Sequence, residues 1–149
     1  MYYKIIKSVI NKNFNALSHG DYEILLNTVS DNVQHSFLGN SAIGGQRKSK
    51  DKLRLWFKRV YRLFPMLVFN VSNIVVSGFP WHTTVIVEWT ANVTPHVGDP
   101  YINSGAHVII LKWGKAVKIT AYENSELVAI ACQKMIEAGV EEAGADQIN

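Results

Sequence analysis

The sequence predicts an α+β domain in which a curved antiparallel sheet covers its helices, and three observations carry that expectation. Apolar residues recur at helical spacing in residues 3–18 and again after Ser49; four consecutive segments between Met66 and Glu123 are rich in β-branched and aromatic residues; and the links between those segments are short. With 149 residues, 48% of them apolar, the chain has the length of one domain and can bury a core without staples, so residues 1–149 are read as a single unit.

In the first segment Ile5, Ile6, Val9, Ile10, Phe14 and Leu17 recur at spacings of three and four, which predicts an amphipathic helix. Gly20 suits the left-handed cap at its end, and Asp21 is placed to accept a backbone hydrogen bond at the start of a short second helix, "YEILLNTV". "DNVQHSFLG" then alternates Val33, His35 and Phe37 against Gln34, Ser36 and Leu38, the period of a short strand. "GNSAIGGQRKS" reads as a loop long enough to cross a pocket mouth. Ser49 is the expected cap of a third helix, "KDKLRLWFKRVYRLF", whose apolar face is Leu53, Trp56, Phe57, Val60 and Phe64, and Pro65 stops it.

The four segments that follow read as strands: "MLVFNVSNIVVSG", "HTTVIVEWTANV", "INSGAHVIILKW" and "AVKITAYE". "GFPW" and "KWGKA" are compact enough for hairpins and "TPHVGDP" is a longer turn, so the strands form an antiparallel meander. "SELVAIACQKMIEAG" is a C-terminal helix with Ser125 as candidate N-cap and Gly139 as its stop. A sheet of this size curled around one long helix leaves a cone, and a partly filled cone is a ligand pocket.

Composition narrows the function classes. The single cysteine, Cys132, cannot form an internal bridge, and no Cys/His spacing resembles a zinc site, which fits a cytoplasmic location. The first residues, interrupted by Lys4 and Lys7, lack the unbroken apolar run of a signal peptide or membrane span, so no membrane partner is expected. Eight cations, Arg47, Lys48, Lys50, Lys52, Arg54, Lys58, Arg59 and Arg62, fall in one short stretch, a distribution that raises nucleic acid as a partner. An acidic C-terminal region with Glu123, Glu126, Glu137, Glu141, Glu142 and Asp146 offers them a simpler use, as a solvated or tail-paired helix face, and nucleic acid is not the expected partner.

The stretches "ALSHGDYEILLNTVSDNVQHSFLG" and "GDPYINSGAHVIILKWGKAVKITAYENSE" resemble the opening and the final two strands of the nuclear-transport-factor-two-like superfamily, and "CQKMIEAGVEEAGADQI" resembles the tail of its SnoaL-like members. The resemblance implies a cystatin-like α+β cone. It also implies a hydrophobic cyclic small-molecule ligand and, where there is catalysis, isomerase, cyclase or dehydratase chemistry without a cofactor or metal. It transfers the catalytic carboxylates poorly. The isomerase tyrosine falls at Asn13, its aspartate base at Ser36 and its second acid near Ala106, while the cyclase base on the last strand falls at Asn124. Asparagine cannot take a proton.

The residues themselves offer other candidates. Glu123 shares its strand face with Val117, Ile119 and Ala121; at the end of an apolar concave face it would have a raised pKa and act as a base, whereas the simpler reading has the strand frayed and Glu123 in water. His35, between Val33 and Phe37, and His107, alternating with Asn103, Gly105 and Ile109, both face inward in this reading and titrate near neutrality. His35, Glu123 and His107 are therefore the candidate catalytic set, with Trp89, Asn103, Tyr101, Phe57 and Tyr61 as substrate-binding residues. The competing function is a catalytically empty binding or assembly module. Outward-reading Thr84, Ile86, Glu88 and Thr90, with Val108 and Ile110, would pair its sheet with a second copy.

Overall fold

In the computed structural model, which describes residues 1–149, the elements run α1 (Tyr2–Leu17), α2 (Tyr22–Leu26), β1 (Val29–Phe37), β2 (Gly45–Arg47), α3 (Lys50–Leu63), β3 (Met66–Phe79), β4 (His82–Thr94), β5 (Tyr101–Lys112), β6 (Lys115–Glu123) and α4 (Ser125–Glu137), followed by a 3₁₀ turn, Glu141–Gly144. The six strands form one curved, unclosed sheet in the order β2-β1-β6-β5-β4-β3. The expected meander from β3 to β6 is antiparallel throughout; the pair β1–β6 is parallel, because the chain returns to β1 only after crossing α3 and the whole meander.

Local chemistry explains most boundaries. Ser49 caps α3, its hydroxyl accepting from Lys52 N at 3.1 Å, and the helix ends just before Pro65. The β5–β6 hairpin turns on Trp113 and Gly114, both at positive φ, the geometry of a two-residue turn whose twist matches the strands. Two caps differ from expectation. Asp21 occupies the cap position of α2 without a side-chain hydrogen bond. At α4 the cap is Asn124, whose Oδ1 accepts from Glu126 N at 3.2 Å, and Ser125 is already the first helical residue.

The segment read as loop contains the edge strand Gly45–Arg47, paired antiparallel to β1 with His35 opposite Arg47. Arg47, expected among the solvated cations, is fully buried instead. The other arginines of the stretch behave as a paired face. Arg54 bonds Glu23 at 2.7 Å, Arg62 bonds Glu142 in a bidentate pair at 2.7 and 2.8 Å, and Arg59 donates to the carbonyls of Ala42 and Asp146. Basic helix and acidic tail thus meet within one chain.

Helices α1 and α3 fill the concave face, where Ile6, Ile10, Phe14 and Leu17 meet Trp56, Phe57, Val60 and Phe64 in one core with the inward residues of β4, β5 and β6. On β6 the buried positions are Ala116, Ile119 and Ala121, with Val117 only half-buried, because the register shifts opposite Ile110 and Leu111. Helix α4 adds Val128, Ala131, Cys132 and Met135 to the core. At the opposite end Phe79 and Trp81 stack at 5.0 Å on an exposed hairpin tip, beside the exposed Trp113. No helix is long and apolar enough to cross a membrane.

Candidate functional site

Strand pairing sets the inward side chains in rows across the sheet. One row holds Trp89, Gly105 and Glu123; the next Val87, His107, Ala121 and Phe37; a third Val85, Ile109, Ile119, His35 and Arg47. The rows bring His35 and His107 to one concave face, on strands separated by β6. They also put Glu123 four residues beyond Ile119, the partner of His35, a distance of roughly 13 Å along the strand.

These rows and the helices enclose a cavity of about 100 Å³, lined among others by His35, Phe57, Tyr61, Trp89, Tyr101, Asn103 and His107. A dry protein cavity of about 150 Å³ holds benzene, so this one is smaller than a single ring needs and takes a ring only when lining side chains move. Seven of the eight residues expected at a site line it; Glu123 does not.

The two histidines are held alike. Arg47 Nη1 donates to Nδ1 of His35 at 2.5 Å, and Trp89 Nε1 donates to Nδ1 of His107 at 2.8 Å. Neither donor has a lone pair to accept with, so each imidazole accepts at Nδ1 and carries its proton on Nε2, which no protein group bonds. Burial, then the Arg47 charge and then His107 hold the His35 pKa well below the usual histidine range; burial alone takes His107 down to about 4. At neutral pH both rings are therefore uncharged N–H donors. Beside a guanidinium, His35 is better suited to donating a hydrogen bond from Nε2 than to taking a proton as the expected base.

Gly105 makes the Trp89 contact possible. A Cβ there would collide with the Tyr122 carbonyl oxygen and lie 2.9 Å from Glu123 Cα and 3.0 Å from Trp89 Cζ2, so the bare backbone leaves room for the indole beside it.

Glu123 is neither frayed nor solvated. It pairs with Gly105 at the end of β6, both carboxylate oxygens are buried without a hydrogen-bond partner, and burial raises its pKa to about 7. It lies outside the cavity lining, and burial first, then Cys132 and then its own charge raise the Tyr101 pKa. No protein group bonds the Tyr101 hydroxyl, whereas that of Tyr61 is spent on the Leu17 carbonyl at 2.5 Å. Asn103 is spent too. Its Oδ1 accepts from Ser104 N and Asn124 N at 2.8 and 3.1 Å, which ties β5 to the start of α4 and leaves little for a ligand. Phe57 stacks on Tyr22 at 5.4 Å as a flat wall.

The positions where the resemblance places a tyrosine and three carboxylates hold none of them. Asn13 is buried and donates to the Thr28 hydroxyl, Ser36 is on the face of β1 opposite His35, Ala106 alternates with His107, and Asn124 caps α4. Sequence reasoning missed Arg47, whose three-residue strand is too short to show a period. No three His, Cys, Asp or Glu side chains come together as a metal site.

The curved sheet closed by two helices around this cavity is that of the nuclear-transport-factor-two-like proteins. Residues 10–119 match the SnoaL-like domain, and the chain belongs to that family. Solved structures agree on the fold. An NTF2-like protein of unknown function from Burkholderia pseudomallei superposes with a TM-score of 0.76 at 16% identity, covering 84% of this chain and 95% of that one. A scytalone dehydratase-like protein from Novosphingobium aromaticivorans gives 0.70 at 13% identity, covering 83% and 84%. TerC, co-crystallised with polyporic acid, gives 0.70 at 16% identity, covering 87% and 96%. At such identities the likeness is one of fold. No curated protein matches the sequence at a significant level.

Proposed function

We propose that this single SnoaL-like domain, residues 1–149, performs cofactor-independent acid–base chemistry on a small, flat, hydrophobic cyclic molecule that carries a carbonyl. The observation that carries the reading is the pair of neutral imidazoles, each fixed by a donor at Nδ1 and each offering a free Nε2–H to an otherwise apolar cavity. Neutral imidazole N–H groups in an apolar site polarise a carbonyl and stabilise the enolate formed when a neighbouring proton leaves. Glu123, half-ionised near neutrality, is the base in this scheme; it lies outside the cavity lining, so it takes the proton through a bridging water or once the side chains between them move. Trp89 and Phe57 hold the ring. The structural neighbour co-crystallised with polyporic acid supports a cyclic organic ligand.

The test is solvent deuterium exchange at C6, the saturated carbon beside the carbonyl of cyclohexenone, followed by NMR. Glu123→Gln is expected to slow exchange at least ~100-fold, and His35→Ala by about 10²-fold or more. If both variants retain exchange, the mechanism is wrong.

A second reading, a catalytically empty ligand-binding module, is favoured by one observation: Glu123 does not line the cavity. Ligand retention with no exchange in any variant supports it. We also propose a homodimer through the sheet. Val75, Ile86 and Val108 stand in register across three strands of the convex face, with Ile110 beside them. A monomeric mass at micromolar concentration rules this out. A cytoplasmic location belongs to the same reading, since the lone Cys132 is buried and unpaired.

A further inference from the structure

Arg47 is a buried cation that no aspartate or glutamate side chain pairs. Its Nε donates to the Ile148 carbonyl at 2.9 Å, Nη2 to the Gly44 carbonyl at 2.8 Å and Nη1 to His35, while Trp56 lies under Cζ at 5.2 Å; every partner is neutral. Burial, with Arg59 nearby, lowers its pKa only to about 10, so it stays protonated at neutral pH. Arg59 donates to two carbonyls and its Nε is buried with no partner; the nearby carboxylate of Glu142, which feels its charge, is bonded to Arg62. The buried carboxylate, Glu123, is roughly 13 Å along the sheet from the His35 row. Buried charges are as a rule paired, and one left unpaired is costly, so an opposite charge brought near it is favoured.

The open side of this arrangement is the cavity. Arg47 does not line it, but His35 does, and Arg47 polarises that ring from behind through Nδ1. The remaining ionisable groups around the cavity do not compete. His107 is a neutral donor, burial keeps the hydroxyls of Tyr61 and Tyr101 protonated, and the Cys132 thiol is pushed up by burial. Only Glu123, once ionised, opposes an anion.

We infer that the cavity takes its ligand as an oxyanion, the ionised form of an enol, phenol or carboxylic acid, with the anionic oxygen on His35 Nε2–H and the charge of Arg47 behind it. This rests on the reading of the cavity as the ligand site and adds the charge of what it binds. Arg47 is in this sense a positioning residue: it fixes the His35 tautomer and supplies the field, without touching the ligand.

The probe is 4-nitrophenol, whose visible absorption distinguishes phenol from phenolate, with nitrobenzene as the partner of similar shape that cannot ionise. Bound 4-nitrophenol should ionise at least one pH unit below its midpoint in water, a tenfold preference for the phenolate, and nitrobenzene should bind at least tenfold more weakly. Arg47→Met, checked for folding by its thermal melt, should lose the shift, and His35→Asn should lose most of it. If the wild-type protein binds both probes equally with no spectral shift, the inference is overturned while the cavity reading stands. A folded Arg47→Met that keeps the full shift also overturns it. Binding of neither probe overturns both together. Loss of exchange activity in the Glu123 variant with the spectral shift intact supports it, because binding and proton transfer then reside in different groups.

Discussion

Glu123→Gln isolates a buried carboxyl that has no partner. Its pKa rises from the ordinary 4.5 to about 7 through burial, so the folded state holds the proton more tightly than the unfolded chain. The stability this contributes is fully present below about pH 4.5 and is lost as pH rises through about 7. At 1.36 kcal/mol per pH unit, the displacement corresponds to at most about 3 kcal/mol; with part of the side chain still in reach of solvent, about 2 kcal/mol is the expected size. Glutamine keeps the shape and cannot ionise, so the variant loses this dependence. Urea unfolding of both proteins between about pH 4 and pH 8 reads the difference directly, since every other titrating group cancels. The wild type should lose about 2 kcal/mol relative to Glu123→Gln across that range. A difference that stays constant with pH refutes the claim that this carboxyl is buried and unpaired.

His107 works in the opposite direction. Its folded pKa of about 4 lies below the unfolded value of 6.5, so stability is lost as pH falls from 6.5 to about 4, and His107→Gln should flatten that acid limb by up to about 3 kcal/mol in urea titrations. Gly105→Ala should destabilise by about 3 kcal/mol, measured by thermal melting, because the methyl group meets the Tyr122 carbonyl and Trp89, and it should release the Trp89–His107 bond, seen as a changed indole fluorescence. Arg62→Ala removes an ion pair whose partners both retain contact with water, and the loss should be under about 1 kcal/mol and shrink with salt.

The fold was legible because its signals are local. The helical spacing of Ile6, Ile10 and Phe14, the Ser49 cap, the Pro65 stop and the Trp113–Gly114 turn each act over a few residues, and the structure keeps all of them. The inward faces of β1, β4 and β5 followed from alternation, which placed His35, Trp89, Asn103 and His107 on the cavity side. Alternation failed where a bulge intervened, at Val117, and where the strand was too short to have a period, at Gly45–Arg47.

The amino-acid sequence by itself determined the α+β architecture and which side chains face the cone, since periodicity and turn chemistry are written residue by residue. Only the tertiary structure decided what those side chains can do. Arg47 and His35 are twelve residues apart, and Trp89 and His107 eighteen; their hydrogen bonds, which fix both tautomers, exist only once the strands are in register. The protonation of Glu123 is likewise a property of its burial, a quantity that depends on what the rest of the chain packs around it.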